Sequence, residues 1–257
     1  MNTYMTLLST DKYLDGVIAL NQSLKNVGAK YPLVVALTSN ISPFCRDILN
    51  KLKIEILELK DFSYSQECYR KFCALDMKHW FYTSSKLQIF GLTQYQKIIF
   101  LDADMFVVKN IDHLFQKPHL TAAEDSPMLF EKDFKKHLNL NSGLLVIEPN
   151  KEDREKLFQL SKEYALPDQD LIRLLKPDWI DKKELHLPVE YNFFMKFFEE
   201  YIYSGVKIEN VYIFHFIGKE KPFLKNQTYK KIINTQNYIE KSYLNLIHQS
   251  IQELTKI

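Results

Sequence analysis

The chain has 257 residues, 46% of them apolar, enough to bury a sizeable core, and its 26% charged content argues against wholesale disorder. Six glycines leave little room for a glycine-rich phosphate loop, so phosphate would have to be held by side chains, a metal or a few backbone amides. A formal net charge of +2, with lysines and glutamates interleaved, argues against a dedicated nucleic-acid surface. Cys45, Cys68 and Cys73 lack metal-ligand spacing and read as reduced thiols. Neither a leader pattern nor an apolar run of bilayer length is visible, so the expectation is a soluble, cytoplasmic-type protein with no transmembrane segment.

In chain order, Thr3–Leu8 reads as a strand ending in the polar turn Ser9-Thr10-Asp11. Val17, Ile18, Leu20 and Leu24 then form a helical stripe within Lys12–Val27, with Gly28 as terminator. Leu33–Leu37 is a continuous apolar run, as in a strand buried on both faces. Ser42-Pro43 opens a helix, and Ile54–Leu59 alternates as a third strand. This β-α-β-α-β order predicts an α/β fold with a mostly parallel central sheet flanked by helices. A helix around Ser84–Phe90 leads into a fourth strand, Ile98–Leu101, which stops at Asp102. Further strands are expected at Met105–Val108, Leu144–Ile147 and Val211–Phe216, and helices at Lys151–Tyr164, Asp168–Lys176 and Tyr238–Leu254. The last helix is expected to pack on the same domain or on a second subunit. A single domain is expected over 1–257, closing with a C-terminal helical segment (226–257).

Asp102-Ala103-Asp104 lies where a buried strand runs out, and open α/β sheets bind ligands beyond the carboxyl ends of their strands. Residues two apart in extended chain project to one side, so both carboxylates can face one hard cation that also bridges substrate phosphates. Far downstream, His215 follows another apolar strand and offers an imidazole, which favours Mn2+ over Mg2+. Gly218 permits close backbone approach to a phosphate and Lys221 offers it a point charge.

At these residues the sequence resembles the glycogenin-like retaining glycosyltransferases of family eight. The matching stretches are TLLSTDKYLDGVIALNQSLK, SKLQIFGLTQYQKIIFLDADMFVVKNIDHLF, NSGLLVIEP, the Asp168-Gln169 pair, LPVEYN and HFIGKEKPF, in that order from Tyr4 to Phe223. The resemblance implies a GT-A type fold, with a nucleotide-binding half (1–110) and a donor-sugar and acceptor half (111–225), a UDP-sugar donor, Mn2+ as the usual metal (Mg2+ as second choice) and retention of anomeric configuration. It carries Leu7, Ser9, Thr10 and Tyr13 over to uracil and ribose contacts, Ala103 to backbone near the ribose, and Asp102, Asp104 and His215 to the metal. It carries Lys86 to the donor, Asp125 and Asn141 to the sugar, Gly218 and Lys221 to the diphosphate, and Asp168 and Gln169 to the anomeric carbon.

Three departures stand out. Ala165 replaces an aspartate of the pattern, the arginine expected before Lys86 has only the off-register Lys78 near it, and Phe198 or Glu199 stands at the self-acceptor tyrosine, with Tyr201 and Tyr203 close by. The leading expectation is a UDP-sugar-dependent hexosyltransferase, with glucose as first choice, acting on a hydroxyl of a glycan, protein or small molecule. The alternatives are a self-glucosylating primer protein, a catalytically weak UDP-sugar-binding protein, and a metal-dependent phosphohydrolase. A homodimer is expected by analogy.

Overall fold

The computed structural model describes residues 1–60, 70, 73–74, 83–125, 139–219, 221–224 and 235–254. Strand β1 (Asn2–Leu8) passes through a 3-10 turn, Asp11–Tyr13, into α1 (Leu14–Asn26). The chain turns at Gly28, whose φ of +66° is the left-handed conformation that glycine tolerates. Strand β2 (Leu33–Leu37) leads to α2 (Pro43–Lys51), where the Ser42 side chain accepts a hydrogen bond from the Cys45 amide as the N-cap, and β3 (Glu55–Glu58) follows. These strands and β4 (Lys97–Leu101) lie in the order β3-β2-β1-β4, all parallel, as the alternating pattern predicted.

Beyond β4 the sheet becomes mixed. Strand β5 (Met105–Val107) leaves it, and β6 (Ala122–Glu124) and β7 (Leu140–Ile147) return, with β7 antiparallel to both β4 and β6. The expected strand at Leu144–Ile147 is twice as long in the structure. Its first half, Leu140-Asn141-Ser142-Gly143, breaks the apolar run with residues that serve the site. The chain continues through α3 (Lys151–Glu163), α4 (Asp168–Leu175), the edge strand β8 (His186–Leu187), β9 (Phe193–Phe194), α5 (Phe198–Tyr203), β10 (Ile213–His215) and α6 (Thr235–Leu254). A second, three-stranded sheet has the order β5-β10-β9.

Strand periodicity sorts the core onto the two faces of the large sheet. Tyr4, Val35, Leu37, Ile99 and Leu101 pack against α1 and α2, while Met5, Val34, Ala36, Ile98 and Phe100 pack against α3, α4 and Trp179. A third cluster joins the small sheet to α6 through Phe106, Phe193, Phe214, Phe216 and Tyr243. Helix α6 packs on α1 of its own chain, and Ser250 Oγ donates to Gln22 Oε1 at 3.4 Å. The expected helix at Ser84–Phe90 is instead a 3-10 run, Ser84–Gly91. Runs of this length are uncommon, and this one turns Ser84, Ser85 and Lys86 inward.

Candidate active site

The Asp102-Ala103-Asp104 turn links the two sheets and is fixed on three sides. The Asp102 amide donates to Gly143 O at 2.9 Å, the Met105 amide to Asp102 O at 3.2 Å, and the Phe216 amide to Asp104 O at 3.0 Å. On the fourth side stands Gly16 of α1, where an added Cβ would lie 2.5 Å from Ala103 O. The turn carries its carboxylates toward His215, at the end of β10. His215 Nε2 lies 3.1 Å from Asp104 Oδ1 and 3.9 Å from Asp102 Oδ2, and one ligand atom from each of the three residues falls within 4.8 Å of the others.

Two carboxylates and one imidazole are a donor set suited to a borderline divalent cation such as Mn2+ or Mg2+. Asp104 and His215 are buried, while the Asp102 side chain keeps 32% exposure toward the cavity, which leaves one side of such an ion open to a substrate oxygen. Burial works to raise the Asp104 pKa. His215 and the Lys221 ammonium, which is ion-paired to Asp104 Oδ2, outweigh it and hold the carboxyl below the usual carboxylate range.

Lys86 joins this corner to the start of α4. Its buried ammonium lies 3.1 Å from Asp102 Oδ1 and 3.0 Å from Asp168 Oδ2, and it donates to Ser142 O at 3.2 Å. Burial disfavours that charge, but the two carboxylates overcome it and raise the Lys86 pKa. Asp168 also accepts from Ser142 Oγ at 3.2 Å and from Thr83 Oγ1 at 3.1 Å, so its carboxylate is anchored from both β7 and the residue that precedes the 3-10 run.

The neighbouring Gln169 belongs to a different set of bonds. Its Oε1 accepts from the Ser142 amide at 2.9 Å and from Asn141 Nδ2 at 3.0 Å, and its Nε2 donates to Asp125 Oδ2 at 3.2 Å. Arg173, one turn further along α4, donates to the same Asp125 oxygen at 2.8 Å and to Asp170 at 3.0 Å. Asn141 Oδ1 accepts from the Gly143 amide at 3.0 Å and from Asn192 Nδ2 at 2.8 Å, and Asn192 Oδ1 lies 2.8 Å from His215 Nδ1.

These groups border a cavity of about 850 Å³, within the size range of small-molecule sites. Following the sheet order β1-β4-β7, Leu7, Ser9, Thr10, Lys12 and Tyr13 line one end beyond β1, Asp102, Ala103, Asp104 and Lys86 the middle beyond β4, and Asp168 and Gln169, bonded to Ser142 of β7, the other. Asp125, Asn141, His215 and Lys221 are bonded one layer behind this wall. Gly218 is an exposed turn residue with φ of +90°. The sequence reading assigned no role to Asn40, Thr83, Ser142, Asp170 or Arg173, all of which line the cavity, or to the fully buried Asn192. A signal existed for Arg173, which lies four residues after Gln169 and so on the same helix face. Ala165 packs against the apolar core and adds no polar group to the wall. Lys78 lies outside the described residues. Tyr201 is fully buried against Phe193, whereas Tyr203 is 86% exposed.

The profile of glycosyl transferase family 8 matches residues 5–227. Human glycogenin-2 is 30% identical over 229 residues, covering 86% of this chain and 43% of the relative. Mouse glycogenin-1 is 29% identical over 238 residues, covering 88% and 66%. UDP-glucuronate:xylan alpha-glucuronosyltransferase 1 of Arabidopsis thaliana is 28% identical over 253 residues, covering 92% and 34%. The chain thus spans less than two thirds of the length of these relatives. Among solved structures, the galactosyltransferase LgtC in complex with donor and acceptor sugar analogues superposes with a TM-score of 0.66 at 15% identity, covering 97% of this chain and 96% of that one. The GlyE glycosyltransferase of Streptococcus pneumoniae superposes with a TM-score of 0.63 at 16% identity, covering 98% and 64%. At that identity the likeness is one of fold, and the fold is of the GT-A type. The family match extends over most of the chain, and the chain belongs to glycosyl transferase family 8.

Proposed function

We propose that this protein is a retaining hexosyltransferase that moves a sugar, glucose as first choice, from a UDP-sugar to a hydroxyl acceptor with Mn2+ at Asp102, Asp104 and His215. The observation that carries the reading is the convergence of those three ligand groups, with Asp102 and Asp104 lining the middle of the cavity and His215 directly behind them. Leu7 and Tyr13 offer surfaces for a uracil ring, and the polar Ser9 and Thr10 lie beside them for the ribose. The cation would supply Lewis-acid neutralisation of the departing diphosphate. Gly218 and Lys221 are assigned to the diphosphate, and the Lys221 contact with Asp104 keeps its ammonium beside the ligand cluster.

Asp168 is the anion assigned to the face of the anomeric carbon, where it would steady developing positive charge. Lys86 and Ser142 fix its Oδ2 and Thr83 its Oδ1, so it is oriented before substrate arrives. Gln169, with Asn141 and Asp125 behind it, is assigned to the sugar hydroxyls. The two cations at this end, Lys86 and Arg173, are each held by two carboxylates. That pairing favours a neutral hexose over a uronate, although the Arabidopsis thaliana relative above is named for UDP-glucuronate.

A screen of UDP-glucose, UDP-galactose, UDP-xylose and UDP-glucuronate with Mn2+, reading UDP release and intact protein mass together, tests the proposal. The expected result is Mn2+-dependent release with a neutral sugar and little with the uronate; no release from any donor would refute it. Stepwise hexose addition to the protein would identify the self-glucosylating variant of this function. Tyr203, by its exposure, is then the candidate acceptor, and buried Tyr201 is not.

A further inference from the structure

The order of donors and acceptors along the polar chain behind the cavity fixes the state of the histidine at its far end. Side-chain amides are ambiguous on their own, because oxygen and nitrogen can exchange places. Here two backbone N–H groups, which can only donate, remove the ambiguity. The Ser142 amide donates to Gln169 Oε1, which turns Gln169 Nε2 toward Asp125 and leaves Oε1 to accept from Asn141 Nδ2. The Gly143 amide donates to Asn141 Oδ1, so the group that meets this oxygen from Asn192 must be its Nδ2. Asn192 Oδ1 therefore faces His215 Nδ1 at 2.8 Å, and the proton of that bond must come from the ring.

We infer that Asn192 is the positioning residue for His215: it holds the proton on Nδ1 and so reserves the Nε2 lone pair for the cation. The inference rests on the cation reading of Asp102, Asp104 and His215 given above. A histidine ligand commonly donates its second N–H to a group that sets its orientation and basicity. Asn192 fills that place with a side chain that is fully buried and committed on both ends. The opposite edge of the ring is consistent with this, since Nε2 meets Asp104 Oδ1 at 3.1 Å. Two lone pairs at that distance call for a positive centre, either a metal ion or a proton.

Gly143 is part of the same device. An added Cβ there would lie 2.8 Å from His215 Cε1 and 2.9 Å from Asn141 Oδ1, so glycine lets β7 come close enough for its amide to order the chain. Because Asn141 also bonds Gln169, the imidazole and the sugar-side amide share one intermediary.

The test uses the full chain labelled with 15N-histidine, with His215 assigned by difference from His215→Gln. In metal-free wild type, a directly bonded proton is expected on Nδ1. In Asn192→Leu that resonance should disappear, and Mn2+ affinity measured by calorimetry without nucleotide should fall about 10–100-fold. Asn192→Asp, which still presents an oxygen to Nδ1, should keep the Nδ1 proton and bind Mn2+ more tightly than the Leu variant. Circular dichroism of both variants against wild type separates loss of the fold from loss of this bond. Wild type without a proton on Nδ1, or an Asn192→Leu protein with undiminished Mn2+ affinity, would overturn the inference. A wild type that carries the Nδ1 proton yet binds no Mn2+ would instead refute the cation reading while supporting the tautomer assignment.

Discussion

The two ends of the cavity are built differently. The end assigned to the nucleotide comes from the carboxyl end of β1 and the 3-10 turn that follows it, and it lines the cavity with the uncharged Leu7, Ser9, Thr10 and Tyr13 and one cation, Lys12. The end assigned to the sugar comes from β7 and the start of α4, and it holds Asp125, Asp168, Asp170, Lys86 and Arg173 in interlocking pairs. The first end presents surfaces and backbone to a ligand. The second presents an electrostatic arrangement that the protein already satisfies internally. A substitution at the first should therefore change mainly nucleotide affinity, and one at the second should change chemistry and stability together.

Lys86→Met should have the largest effect, because Lys86 joins Asp102 of the ligand cluster to Asp168 at the sugar end. Breaking a buried ion pair by removing one partner costs about 3–5 kcal/mol, and here Asp102 and Asp168 would both lose their cation. Thermal unfolding should shift downward by several degrees and UDP release should fall on the order of 100-fold or more. A variant with wild-type stability and only weakened UDP binding would assign Lys86 to the nucleotide end alone.

Gly16→Ala comes next, since its Cβ would press on backbone at Ala103. Overpacking of this kind costs about 1–3 kcal/mol. It should appear as weaker UDP binding in calorimetry, with the neutral-sugar preference intact. Arg173→Met probes the other end by removing the cation from Asp125 and Asp170. The KM for the UDP-sugar should rise about tenfold, in line with one charge-assisted hydrogen bond, while the affinity for UDP itself stays near wild type. Equal losses for UDP and UDP-sugar would erase the proposed division.

A change remote from both ends supplies the smallest effect. His119 Nδ1 accepts from the Glu148 amide at 2.9 Å, just past the end of β7, so the folded protein needs a lone pair there. Burial lowers the His119 pKa, only partly offset by Asp153 and Glu148. With the folded value below the unfolded one, the contribution to stability is complete above the ordinary histidine range and fades as pH falls through it toward the folded value. Urea unfolding followed downward from pH 7.5 should therefore show a loss that His119→Asn flattens, and the ratio of UDP to UDP-sugar affinity should not move.

How much of this was legible in the sequence follows the same division. The parallel strands and α1 declared themselves through continuous apolar runs and helical spacing, and Asp102-Ala103-Asp104 was marked by the apolar strand before it. The first half of β7 was missed because Asn141, Ser142 and Gly143 carry site contacts where an apolar pattern would otherwise stand. Asn192 sat inside a quoted motif without a role, since its meaning depends on partners 23 and 51 residues away. Arg173 and Asp170 look like an ordinary helix-surface pair until Asp125, 48 residues upstream of Arg173, is placed beside them. Periodicity reports which face is buried. It does not report which polar groups meet across that face.

Asp102, Asp104 and His215 are proposed to hold a divalent cation through which UDP binds. Calorimetric titration of UDP into the full chain, with and without Mn2+, for wild type and Asp104→Asn, decides whether they do. Tight binding by wild type only with Mn2+, and loss of that Mn2+ dependence in the variant, is the predicted result. UDP binding of equal affinity with and without the ion would contradict it, as would an Asp104→Asn protein that responds to Mn2+ like wild type.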